Sequence, residues 1–408
     1  MRSRTSTRIE RKILFRLLLV SFLSFPSISI AQTSSSGTAT SPQPLHGLVA
    51  KMAKIVAAAP KDGPNGLQKL SYELEGYELQ GIMYPVFYQK EFLNVVSDKT
   101  QDWRLRYFCA GAMSEWTTKA IVKPLMKIVL DKTERPELRG AAAVGLTTAV
   151  TTNPKLKRVF EQLAANPNTP KPLFDKVMMV LGSAGSDDLN LMERLAGMPV
   201  DGQAALGSNF NAIRAIGASN NPQALEVLTE MLQAPPDIPL ARGVVLQTLL
   251  SYAKTPNKVK KWPPELVPAL LKMLGTRKYK PTDKIQTNQV FANSPDIIRL
   301  LGLIGSRRAV PRLVEFLNYP DTVVVAAAAQ ALGRIGDPRA LPHVQELWNG
   351  LGTDPRENYD FAKRFKYWKN HCEHKKYCVD LITPQIYTAL NSLKAAAKQQ
   401  GESGKEKR

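Results

Sequence analysis

Residues Asp321 to Trp348 read DTVVVAAAAQALGRIGDPRALPHVQELW. Val324, Ala328, Ala331 and Leu332 recur at helical spacing and so share one face. Asp321 is a good N-cap, because a short carboxylate accepts from the unpaired N–H groups of a first turn. Gly336 suits the left-handed conformation that stops a helix. Pro338 then falls in the first turn of a second amphipathic run, where a missing N–H costs little. The stretch predicts two helices joined by a Gly-x-Ile-Gly-Asp turn.

The plan recurs along the chain. GRIGDPRALPHV (Gly333–Val344) aligns with GLIGSRRAVPRL (Gly302–Leu313), 31 residues earlier, in its Gly-x-Ile-Gly turn, Arg, Ala and Pro. IRAIGASNNPQALEVLTEML (Ile213–Leu232) and MVLGSAGSDDLNLMERL (Met179–Leu195) keep the same order of helix, turn and helix. Nearer the start, WRLRYFCAGAM aligns with ELRGAAAVGL at an offset of 33, which puts Arg106 on Arg139. Helix-pair repeats of roughly 30 to 45 residues indicate an α-solenoid. Composition agrees. The 408 residues are 44% hydrophobic and 22% charged, as in a folded chain, and only 7% are aromatic, which favours helices over a β-sandwich.

The pattern resembles HEAT repeats, in particular the short kind found in phycobilisome-lyase-like proteins. That repeat reads roughly Asp-x-x-Val-Arg-x-x-Ala-x-x-Ala-Leu-Gly-x-Ile-Gly-Asp. Asp321, Val324, Ala328, Ala331, Leu332, Gly333, Ile335, Gly336 and Asp337 match it. Val325 stands where the family has Arg, so the resemblance implies that an Asp–Arg ladder between repeats is interrupted there. Arg106 and Arg139 hold the corresponding place in earlier copies. The implied fold is all-α, a HEAT/armadillo-like superhelix of stacked helix pairs with helical caps. A fold of this kind says little about activity.

Around the repeats, residues 1–31 read as a secretory signal peptide. Arg2, Arg4, Arg8, Arg11, Lys12 and Arg16 precede an apolar core, Leu17–Phe25, and Ser29 and Ala31 are small residues placed for cleavage after Ala31. An uncleaved membrane anchor is the alternative. Residues 32–44 read as a flexible linker and 45–100 as an N-terminal helical cap. HEAT-like repeats are expected over 101–350, as helix pairs near 102–130, 134–165, 170–197, 202–233, 237–274, 293–318 and 321–348. Basic insertions near 254–264 and 275–295 break the period. Residues 351–398 would cap the far end, with 399–408 as a disordered tail.

Chemistry-bearing motifs are sparse. There is no His-Glu-x-x-His, no Gly-x-Ser-x-Gly and no phosphate-binding loop, and no strand precedes the Gly-x-Ile-Gly turns. Ser251-Tyr-Ala-Lys254 fits Ser-x-x-Lys, but its Lys-Thr-Gly companion is missing; these residues read better as the end of a repeat helix. In HCEHKKYC, an oxidising compartment favours a Cys372–Cys378 disulfide. A disulfide there requires a bend, since six residues of straight helix hold the Cα atoms about 9 Å apart. The alternatives are free thiols or a zinc site from His371, His374 and Cys378, one helical face at i, i+3 and i+7. Cys109, among small residues, reads as a buried packing residue.

Charge is the remaining signal. The net charge is +20 and falls to +15 once residues 1–31, with six basic residues and Glu10, are removed. Two segments mix cations with aromatics: Lys258, Lys260, Lys261, Trp262, Arg277, Lys278 and Lys280 in the first, and Lys363, Arg364, Lys366, Trp368 and Lys369 in the second. Such segments can hold a polyanion or another partner. The expectation is therefore an exported, periplasmic or extracellular, non-catalytic scaffold that binds a protein along its solenoid surface, with no cofactor. It would not be integral to the membrane after signal removal. A binder of anionic polymer or nucleic acid, and a lyase- or hydrolase-like enzyme on the same scaffold, are the alternatives.

Overall fold

The computed structural model describes residues 47–60, 66–83, 85–199, 203–235, 237, 240–255, 257–276, 294–319, 321–351 and 375–405. The expected signal peptide and linker, and most of the second basic insertion, lie outside the described residues. Within these residues every regular element is helical. Three helices open the compact unit: α1 (Leu48–Ala58), α2 (Gly66–Met83) and α3 (Pro85–Ser97). Next come α4 (Trp103–Gly111), α5 (Val122–Leu130), α6 (Pro136–Gly145), the short α7 (Thr147–Thr152) and α8 (Pro154–Ala165). The middle holds α9 (Lys171–Ala184), α10 (Leu189–Ala196), α11 (Gln203–Ala218), α12 (Ala224–Gln233), α13 (Ala241–Lys254) and α14 (Leu266–Leu274). The end is built from α15 (Ser294–Ile304), α16 (Val310–Phe316), α17 (Thr322–Ile335), α18 (Leu341–Leu351) and α19 (Lys375–Lys405).

The first helices of successive pairs form one row. α4, α6, α9, α11, α13, α15, α17 and α19 pack in that order, each against the next. The second helices α5, α10, α12, α14, α16 and α18 each lean on the following member of that row. This is an all-α solenoid, in which a repeat buries its apolar face only against its neighbours. Bonds between neighbours carry the period. Lys99 Nζ donates to Asp131 at 2.9 Å across 32 residues, Ser208 Oγ to Asp175 at 2.8 Å across 33, and Ser219 Oγ to Asp187 at 3.0 Å across 32.

The two glycines of the Gly-x-Ile-Gly turn do different work. The first permits close approach of neighbouring helices: a Cβ on Gly302 would lie 2.6 Å from Ala331 Cα, and one on Gly333 would lie 2.6 Å from Ala389 Cα. The second ends the helix with a left-handed residue, Gly305 at φ 73° and Gly336 at φ 65°. Asp321 accepts from the Val323 N–H at 2.7 Å, and Pro338 opens the turn before α18. Val325, at the position of the family's Arg, is fully buried.

Elsewhere, helix C-termini are closed by side chains from outside the helix. The last carbonyls of a helix have no partner within it. Arg104 donates to Val56 O, Ala59 O and Pro60 O at the end of α1. Arg106 Nε reaches Val96 O in α3 at 3.1 Å, and Arg139 Nε reaches Val129 O in α5 at 2.9 Å, both ten residues back. The guanidinium of Arg106 also clamps Glu134, at 2.8 and 3.0 Å. Thus the repeated arginine closes a helix end in both copies, and Arg106 binds a glutamate as well. Asn209 takes over this work at α10, donating to Leu195 O, Ala196 O and Met198 O. Arg312 does so at α14, through Leu274 O.

Helix α19 runs to Lys405 and so occupies most of 399–408, the stretch expected to be a disordered tail. Strong helix formers in KAAAKQQ carry it there without a break. Cys109 is fully buried and unpaired, and burial raises its thiol pKa well above the usual range. Ser251 and Lys254 lie in the last turn of α13, both exposed.

Candidate functional site

Four successive members of the first-helix row surround one open groove of about 300 Å³. α4 contributes Tyr107 and α6 contributes Glu137. α9 supplies Pro172, Asp175, Lys176 and Met179, and α11 supplies Gly207, Ser208 and Asn211. Leu67 of α2 adds an apolar edge. A larger groove, about 470 Å³, runs beside α3 and is lined from that helix alone by Val86, Gln89, Lys90, Leu93 and Asn94. Only the first groove draws chemically different groups from several repeats to one place.

Its polar groups are unequally engaged. Asp175 is held by Lys171 at 2.9 Å and by Ser208 at 2.8 Å. Glu137 has one distant cation, Arg135, at 3.9 Å on the surface. Asn211 accepts from Arg214 at 3.2 Å, and burial lowers the pKa of that guanidinium. Lys176 is half-buried. Burial lowers its ammonium pKa, and Asp175 offsets part of that effect without pairing with it. Tyr107 stands between two carboxylates. Burial first, then Glu78 and Glu137, raise its hydroxyl pKa. Glu78 itself is pushed up to about 7, by burial and then by Glu75.

The residues singled out from sequence lie elsewhere. Lys258 is turned inward: it donates to Gly217 O at the end of α11 and sits 4.5 Å over the Tyr252 ring. Asn257, at φ 57°, makes the turn that aims it there. Burial, and then Lys157, lower the Lys258 pKa. Trp262 is half-buried against the core. Lys260 and Lys261 are exposed. Arg277, Lys278 and Lys280, and Lys363, Arg364, Lys366, Trp368 and Lys369, lie outside the described residues. So do His371, Cys372 and His374. Cys378 is on α19, with its side chain outside the described part.

Nothing in the sequence marks Lys176 and its neighbours, because they are spread over five helices and form no motif. One signal was present. Ser208 and Asp175 are 33 residues apart, one repeat, so aligning polar positions between repeats would have placed them side by side.

Residues 296–356 match the family described as HEAT repeats, which agrees with the architecture of α15 to α18. The structure of human deoxyhypusine hydroxylase in complex with glycerol is similar at 15% identity, covering 85% of this chain and 96% of that one, with a TM-score of 0.25. A search of curated proteins found no match. No helix among the described residues is long and apolar enough to cross a membrane.

Proposed function

We propose that this chain is an exported, non-catalytic adaptor that holds a protein partner along its row of first helices. The observation that carries this reading is the open groove between α4 and α11, lined from four successive repeats. A surface of that form suits an extended or helical segment better than a small molecule, which is usually enclosed on most sides. The resemblance of residues 321–337 to short, phycobilisome-lyase-like HEAT repeats supports the scaffold reading. Export rests on the basic and apolar runs of residues 1–31.

The test uses Gly207→Trp. Gly207 lines the groove, and a Cβ built on it meets nothing within 4 Å, so an indole can fill the groove without disturbing the core. The mature chain should capture a discrete partner from a cell-envelope extract, and the Trp variant should lose it while melting at the same temperature. Retention by both proteins would overturn the groove reading. N-terminal sequencing of the native protein should begin at Gln32; residues 1–31 intact on a soluble cytoplasmic protein would end the export reading.

A further inference from the structure

We infer that Lys176 anchors an acidic side chain of the partner, so that the groove selects polypeptide segments carrying a carboxylate. This inference deepens the adaptor reading and rests on it. Lys176 is the unspent cation of the site. Among the described residues it makes no ion pair or hydrogen bond, although an ammonium has three donors to satisfy. Asp175, its sequence neighbour, is already committed to Lys171 and Ser208.

The base of the Lys176 stem is packed. It lies across Gly140, where an added Cβ would stand 3.0 Å from Lys176 Cγ and 2.9 Å from Pro172 O. The missing side chain at Gly140 is what lets the lysine cross to the groove. An ammonium half-removed from water without a counter-charge costs free energy, which an incoming carboxylate offsets. The base of the stem is packed beforehand, so part of the rotamer entropy of binding is already lost.

The surroundings narrow the ligand further. Arg214, bonded to Asn211, brings a second cation to one edge. Glu137 and Asp175 line the same groove and repel any dense anion. A phosphate or a polyanionic chain would meet both carboxylates, whereas a single Glu or Asp side chain can reach Lys176 alone. Leu67, Pro172 and Met179 offer carbon for the residues flanking the acid, and Tyr107, Ser208 and Asn211 offer polar contacts to its backbone.

The test is selection of 12-residue peptides from a random library displayed on phage, against the mature chain and its variants. The parent should enrich peptides with a fixed acidic position, and Lys176→Glu should exchange that position for a basic residue. For a synthetic peptide from the parent's selection, Lys176→Gln should raise Kd at least tenfold and flatten its salt dependence. Lys176→Gln should melt at or above the parent, since it removes an unpaired ammonium, which sets aside misfolding. Peptides without an acidic position, or an unchanged Kd in Lys176→Gln, would overturn the role of Lys176. If such peptides still lose binding in Gly207→Trp, the groove stands and only the anchor falls. If they bind Gly207→Trp equally well, the groove reading falls too.

Discussion

From Ser294 through Leu351 and onto α19, neighbouring repeats meet mainly through glycine and alanine, whereas between Asp102 and Asn211 arginine and asparagine bonds to backbone carbonyls add to glycine contacts such as Gly145 on Ala110. In the first region Gly302 faces Ala331 and Gly333 faces Ala389, close enough that no side chain fits between. In the second, Arg104, Arg106, Arg139 and Asn209 each end a helix that precedes them. Both regions solve the same problem of stacking helix pairs. One does so by shape, and its sequence repeats because shape leaves few choices. The other adds directed hydrogen bonds, which many residue types can make. The candidate groove lies in the second region, where polar side chains reach the first-helix row.

This contrast can be broken by mutation. The largest effect should come from Gly333→Leu, which drives a side chain into the backbone of α19 at Ala389. It should cost about 4 kcal/mol or more, at the upper end for overpacking. A smaller loss is expected for Arg106→Met, about 3 kcal/mol, because Glu134 and Val96 O are left buried without their partner. Denaturant melts in the parent and in a Glu134→Gln background separate the two. The glycine variant should lose the same amount in both, and the arginine variant should lose less where the carboxylate it clamps is gone. Equal losses of the arginine variant in both backgrounds would remove the distinction between the regions.

Glu78 gives a third, smaller effect and a pH signature confined to the N-terminal region. Its carboxyl is pushed up to about 7 in the fold from an ordinary value of 4.5, so between those values the folded chain binds more protons than the unfolded one. Stability should therefore fall as pH rises from 4.5 through 7 and stay level above. Glu75, Tyr107 and Cys109 are its titratable neighbours. Glu78→Gln removes the slope, and should gain about 2 kcal/mol on the parent at pH 8 and almost nothing at pH 4.5. A variant that keeps the parent's pH profile would show that another group sets it.

What sequence made legible follows the same division. The cap at Asp321, the stop at Gly336 and the turn at Pro338 are local, decided by residues within one turn of each other, and they were readable. The tight crossing of Gly333 on Ala389 spans 56 residues, and only the repetition of the glycine hinted at it. Lys258 looked like surface charge, but its partner, Gly217 O, is 41 residues away and its direction depends on a left-handed Asn257. Lys176 carried no sequence signal, because its character comes from neighbours on several helices and from the space over Gly140.

The proposed partner sits in the first-helix groove and not on the exposed basic turn. A photo-cross-linking amino acid placed at Met179, 37% exposed on the groove, or at Lys260, exposed on the turn after α13, tests it directly. Irradiation of the native complex should give a covalent adduct with the partner from position 179 and none from position 260. An adduct from position 260 alone would place the partner on the basic turn and contradict the account.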